Sequence, residues 1–233
     1  MKIIGFDTAT DDTVVAAAAD GEIVFERRIG PGEDGRPVHS ETLLTTMNEA
    51  AGALGGWADV RRIAAGTGPG TFTGIRIGIA TANGLALSTG VELTGVSTLE
   101  ALSLPLRDGV RSVLPVLDAR RGEVFAALYG ADGTLEWSPF AAGPETLAER
   151  LAELDAAPRV GGPGSVRFRD ELTRAGVEIA GPEAEIHHLT GGSICELGAA
   201  AGRVDPSIPL EPTYLRVPDA QLWLERDGKE GGA

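Results

Sequence analysis

The sequence predicts an α/β protein built from two similar lobes, because one pattern of strands, turns and a Gly-Pro-Gly loop occurs twice along the chain. In the first half an apolar run at 3–6 ends at Asp7, a small polar turn follows, and a second apolar run covers 14–19. Asp20 and Gly21 then turn the chain into a third strand at 23–27. In the second half the run 113–117 ends at Asp118, residues 119–123 turn, and strands at 124–129 and 135–140 flank Asp132 and Gly133. An Asp-Gly pair between two apolar runs signals a tight hairpin, since both residues accept left-handed backbone angles. Each copy reads as a three-stranded meander. A helical stretch, a short strand and a loop follow each one: Gly68-Pro69-Gly70-Thr71 in the first half, Gly162-Pro163-Gly164-Ser165 in the second.

The expected organisation is an N-terminal lobe over 1–105, a C-terminal lobe over 106–208, and a returning segment with a flexible tail over 209–233. The tail is polar from 219 onward except for Leu222, Trp223 and Leu224. In the first lobe, residues 39–54 read as an amphipathic helix with Ser40 as N-cap and Leu43, Leu44, Met47, Ala51 and Leu54 on one face. The glycine-rich stretch 66–90 leaves a short strand at 63–65 and enters a second helix over 73–89. Along it Gly74, Gly78, Ala82 and Ala86 recur every fourth residue, with Ile75 and Ile79 in the adjacent row. Such a stripe lets another element approach closely. Either the lobe's own sheet or a helix pair with another subunit satisfies it.

Composition bounds the function. The 233 residues and 42% hydrophobic content suit one large or two compact domains with a sizeable core. A net charge of −14 argues against an independent grip on nucleic acid or an anionic membrane. Cys195 is the single cysteine, so no internal disulfide forms, and a reducing, cytoplasmic setting is expected. The opening MKIIGFDT enters a strand at once without a signal-peptide core. The uncharged stretch 77–91 is too short and too polar to cross a bilayer.

The glycine loop aims the start of a helix, with its free N–H groups and positive dipole end, as an anion site would. It is not a Walker A loop, since no Lys follows the last glycine, nor a Rossmann fingerprint. Gly70, Thr71 and Arg76 of this region, with Asp7 and Asp118 at matching turns of the two lobes, form a candidate anion or nucleotide cleft in which paired carboxylates would hold Mg²⁺. The alternative is that each aspartate caps its own turn. The side chains of Thr8, Ala9 and Thr10 favour that alternative, because they keep a phosphate off the backbone. Arg76 at the helix start would bind an anion or a partner carboxylate. Cys195 lies in a small-residue helix and reads as a buried small hydrophobe, and His187-His188 reads as a pair of solvent-exposed polar residues.

Together, FDTAT, HSETLL, GTGPGTFTGIRIGIATANGLA, DARRGEVF and EPTYLR span Phe6 to Arg216 and resemble the TsaB family, also called YeaZ. The resemblance implies a two-lobed actin-like, sugar-kinase and Hsp70-related (RNase H-like) fold. It implies a role in making threonylcarbamoyladenosine beside the anticodon of tRNA, as a partner of the paralogous TsaD transferase together with the small TsaE ATPase. TsaD-like proteins carry a metal-binding HxxxH on the helix after the segment equivalent to 66–96, and Thr98 and Leu102 fall at those positions here. Neither replaces an imidazole. The expected chain is therefore a non-catalytic scaffold without catalytic or metal residues. Its partner face is expected to comprise His39, Ser40, Leu43, Leu44, Met47, Gly74, Ile75, Gly78, Ile79 and Ala82. For the chain alone the sequence leaves open a monomer or a homodimer through the same helices. No cofactor is assigned to it, ATP and Mg²⁺ enter only at the level of the complex, and tRNA is met through the partners. The competing reading is an ATP-dependent phosphotransferase or hydrolase of the same fold.

Overall fold

The computed structural model describes residues 1–202 and 208–216. The expectation for the tail at 219–233 lies outside the described residues. In chain order the first half gives β1 (Lys2–Asp7), β2 (Thr13–Ala19), β3 (Glu22–Ile29), α1 (His39–Ala53), β4 (Arg62–Gly66), α2 (Phe72–Thr89), β5 (Glu92–Val96) and α3 (Thr98–Ser103). The second half gives β6 (Val113–Arg120), β7 (Glu123–Tyr129), β8 (Leu135–Ala142), α4 (Pro144–Ala152), β9 (Arg159–Gly161), α5 (Pro163–Arg167), α6 (Arg169–Arg174) and α7 (Gly191–Ala200). The duplication is visible in the sheets. A five-stranded sheet runs β3-β2-β1-β4-β5 and a four-stranded one runs β8-β7-β6-β9, each an antiparallel meander extended by a parallel strand. Where the first sheet has β5, the second has only a parallel bridge between Val160 and Ile179.

The strand period of two divides the first sheet's side chains between two cores. Ile4, Phe6, Val15 and Ala17 face α1 and α2 and pack with Leu43, Met47, Ala50, Ala82 and Ala86. Ile3, Val14, Ala16 and Ala18 face the second lobe and share one cluster with Leu99 and Leu102 of α3, Leu117 and Phe125 of the second sheet, and Ile194 and Cys195 of α7. Here the two halves exchange helices. The helix α3 packs on β6 and β7 of the second sheet, whereas α7 packs on β1, β2 and β4 of the first. Leu99 and Leu102 are wholly buried in this shared layer, and burying each contributes about 2 kcal/mol. The boundary expected at 105/106 is thus a division of sequence only. Residues 191–200, expected in the second lobe, complete the first.

Two local details differ from expectation. Ser40 is not the cap of α1: the helix starts at His39, its N-cap is Val38 with no side-chain cap, and Ser40 is exposed in the first turn. The earlier start follows from His39 being drawn inward, where its Nδ1 pairs with the Thr13 hydroxyl at 2.7 Å. Leu44 does not share the buried face either and stands 51% exposed, because it lies one position around the helix from Leu43. The returning segment packs at the lobe boundary as expected. The Leu210 N–H donates to Asn83 Oδ1 at 3.0 Å, the Thr213 N–H donates to the Thr67 carbonyl at 2.8 Å, and the Arg216 guanidinium reaches the Ala119 carbonyl at 2.7 Å and Glu123.

Candidate functional site: an interlobe cleft and an outer helix groove

The glycine loop before α2 is packed on one side by the chain itself. Its close approach is to the chain's own β1–β2 turn, where a Cβ on Gly70 would collide with the Ala9 carbonyl and one on Gly74 with the Thr8 carbonyl. The Thr71 N–H donates to that Ala9 carbonyl at 2.7 Å, and the Thr8 hydroxyl donates to the Gly74 carbonyl at 2.7 Å. Of the N–H groups that a phosphate cradle would offer, that of Thr71 is engaged internally.

The two matching aspartates have different environments. Asp7 is fully buried, and its carboxylate accepts from the Ala9 N–H at 2.5 Å and from the Thr98 hydroxyl at 2.6 Å. Burial pushes its pKa up to about 6 against these two hydrogen bonds. Asp118 lines the cleft and is held by the Arg120 N–H at 2.8 Å and by Arg167 Nη1 at 2.8 Å. The pair of carboxylates facing a common ion, expected as one reading of the sequence, is therefore not formed. Asp7 caps the β1–β2 turn, and Thr98 supplies its second donor.

Between the lobes lies a cavity of about 310 Å³ with an apolar floor that includes Leu102, Leu117 and Leu189 and a charged rim of Asp11, Asp12, Asp118 and Arg120. A second hollow of about 210 Å³ continues past Arg120 to Phe72, Tyr214 and Arg216. Gly70 and Thr71 line both. Arg120 separates them, pairing across the cleft with Asp11. It and Arg121 hold left-handed backbone angles, φ 62° and 55°, which cost about 1 kcal/mol each for a residue with a Cβ. Burial raises the Asp12 carboxyl against the pull of Arg28 and His188, and burial also lowers the His188 imidazole. The pair His187-His188 is not the exposed pair expected. His187 is buried, with Nε2 3.1 Å from the Ala180 carbonyl, and His188 is half-buried on the cavity wall. Among the described residues no group of three or more His, Cys, Asp or Glu side chains is placed to hold a metal ion. Leu102 is wholly buried.

A third hollow, about 340 Å³, opens on the outer surface between α1 and α2. His39, Ser40, Leu43 and Leu44, four of the residues expected on a partner face, line it together with Ile77, Ala80, Thr81, Gly84 and Leu85, which the sequence reading missed. Met47, Gly74, Ile75, Gly78, Ile79 and Ala82 do not line it and are buried inside the lobe. A Cβ on Gly78 would stand 2.5 Å from the Thr8 hydroxyl, so the small-residue stripe is filled by the lobe's own β1–β2 turn. The reachable face of α2 is offset around the helix, and its signal was present in the 77, 80, 81, 84 spacing once the inner row is assigned to the sheet. Burial lowers the pKa of the His39 imidazole. Among the described residues no helix is long and apolar enough to cross a membrane.

Comparison with known proteins sets this geometry in a family. A family model described as TsaD, tRNA N6-adenosine threonylcarbamoyltransferase, matches residues 33–138. The tRNA threonylcarbamoyladenosine biosynthesis protein TsaB of Escherichia coli is 32% identical over 99% of this chain and 100% of its own length. The structure of YeaZ from Pseudomonas aeruginosa is 25% identical and superposes with a TM-score of 0.73 over 92% of this chain and 99% of its own. The ethanolamine utilization protein EutJ from Carboxydothermus hydrogenoformans, 17% identical with a TM-score of 0.50 over 84% of this chain and 90% of its own, shares the fold alone. The two-lobed architecture is that of the actin-like, sugar-kinase and Hsp70-related proteins.

Proposed function

Because the chain belongs to the TsaB family of tRNA threonylcarbamoyladenosine biosynthesis proteins, we propose that it serves that modification as a non-catalytic scaffold, binding and stabilising a TsaD-like transferase. A TsaE-like ATPase joins the same complex, which works in the cytoplasm. The observation that carries this reading is the outer groove between α1 and α2, rimmed by Leu44 at 51% exposure and followed along α2 by Leu87 at 84%. An apolar helix face left open to water is what a partner helix covers. Two further features support it. On the resemblance, Thr98 and Leu102 stand where a TsaD-like transferase has its metal-binding histidines, and the glycine loop is packed by Thr8 and Ala9. The net charge of −14 leaves tRNA contact to the partners. Without its partner the chain covers the same groove with a second copy.

Light scattering on a sizing column, with the chain alone and mixed with the TsaD-like protein of the same cell, tests the reading. A stoichiometric heteromer is expected, and it disappears with Gly84→Trp or Ala80→Arg without any loss of thermal stability. Substitutions at Gly78 or Met47 would not test it, since both sites are interior. Unshifted peaks for the unaltered mixture, or ATP turnover by the pure chain, would overturn it.

A further inference from the structure

We infer that Arg76 is the charged anchor of the α1–α2 groove, and that the helix seated there carries an Asp or Glu at the end nearest Arg76. This inference rests on the scaffold reading and names the chemistry the partner must present. Arg76 is the only Lys or Arg on either helix. It precedes Ala80, which lines the groove, by four residues, so it stands beside the groove's edge, about 6 Å along the axis from Ala80. Its side chain is exposed yet held in place: the guanidinium lies 3.8 Å from the centre of the Phe72 ring, and Nε donates to the Tyr214 hydroxyl at 3.1 Å. The Phe72 and Tyr214 rings themselves pack at 5.4 Å.

Among the described residues Arg76 forms no ion pair with a carboxylate, in contrast to Arg120, Arg167 and Arg216 around the nearby cleft. One turn in from the positive end of α2, a cation gains nothing from the helix dipole. An arginine oriented by aromatic stacking keeps most of its donors free for a bidentate carboxylate and loses little entropy when it binds one. A single cation beside an otherwise uncharged groove sets register and orientation more than affinity. Tyr214 belongs to the returning segment, tied to β4 through Thr67 and to the second lobe through Glu123, so the orientation of the anchor depends on that strap being seated.

Affinity for the TsaD-like transferase, measured by calorimetry at about 0.05 and 0.5 M salt, tests this. Arg76→Ala is expected to weaken binding about tenfold at low salt and to flatten its salt dependence, with melting temperature unchanged. Arg76→Lys recovers the salt dependence but only part of the affinity. Arg76→Glu weakens binding further, and reversing one carboxylate on the partner restores it. If the unaltered chain binds and Arg76→Ala matches it in affinity and salt slope, the anchor is wrong and the scaffold reading stands. If the unaltered chain binds no transferase, or only itself, both fall.

Discussion

The Thr98 hydroxyl donates a 2.6 Å hydrogen bond to the carboxylate of Asp7, joining the start of α3 to the end of β1 inside the molecule. Asp7 is raised from 3.8 to about 6 by burial. For an acid whose folded pKa is raised, the folded state holds the proton more tightly, so stability declines as pH rises from about 4 to 6 and is level above. The whole difference amounts to about 3 kcal/mol. Asp7→Asn, which still accepts from Ala9, is expected to stabilise the chain at pH 7 and to lose that advantage near pH 4. Thr98→Val should do the reverse, destabilising by about 1–3 kcal/mol at pH 7 and less in acid. Denaturant titration of the three proteins at both pH values decides, and an Asp7→Asn advantage independent of pH would refute the assignment.

Two glycines of α2, Gly78 and Gly84, should respond oppositely to alanine. Gly84 has open space where a Cβ would stand, so Gly84→Ala is expected to stabilise by about 1 kcal/mol through helix propensity. At Gly78 the new methyl would press on the Thr8 hydroxyl, which is already bound to the Gly74 carbonyl, and on the Phe6 ring. Gly78→Ala should therefore destabilise by about 1–3 kcal/mol. Equal melting temperatures for the two variants would mean that α2 is free to shift off β1.

Arg62 fastens the exchanged helix. Its guanidinium, 6% exposed, binds Glu92 at 2.7 Å and donates to the carbonyls of Gly198 at 2.7 Å and Ala201 at 2.9 Å, at the end of α7. A cation there satisfies carbonyls that the helix itself leaves without donors. Arg62→Ala is expected to destabilise by about 3 kcal/mol, while Glu92→Gln, at a 36% exposed site, should cost under about 1 kcal/mol. Hydrogen exchange should show α7 opening first in Arg62→Ala. If α7 exchanges no faster than β1 in that variant, the fastening role is wrong.

The meanders were legible because their cues are local. Asp20 and Gly21 take φ of 50° and 90°, the left-handed pair that an Asp-Gly hairpin signals, and the repeat at Asp132 and Gly133 marks its counterpart. What could not be read is which surface satisfies an apolar or small face. The Gly74–Gly78–Ala82 row fits a foreign helix and the β1–β2 turn equally well, and only the packed structure shows the turn in place. The exchange of α3 and α7 escaped for the same reason, since GGSICELGAA carries no mark of the sheet it will meet. Asp7 and Asp118 are equivalent in the repeat yet differ in fate, because their partners, Thr98 for one and Arg167 for the other, arrive from elements distant in sequence.

Cys195, expected to behave as a small buried hydrophobe, has an interior thiol that can be tested by its silence. It is 2% exposed between β1 and β2, its Sγ 3.6 Å from the Ala16 carbonyl, and burial pushes its pKa up to about 12. At pH 8 only about one molecule in ten thousand would carry the reactive thiolate, and reagent has no path to it in the folded chain. A disulfide reagent should therefore label the native protein only at the rate of opening of α7, and stoichiometrically at once in denaturant. Since Arg62 fastens α7, labelling of Arg62→Ala should be faster than that of the unaltered chain by the factor its hydrogen exchange gains. Rapid labelling of the native protein would show that the layer shared by the two lobes is open where the structure has it closed.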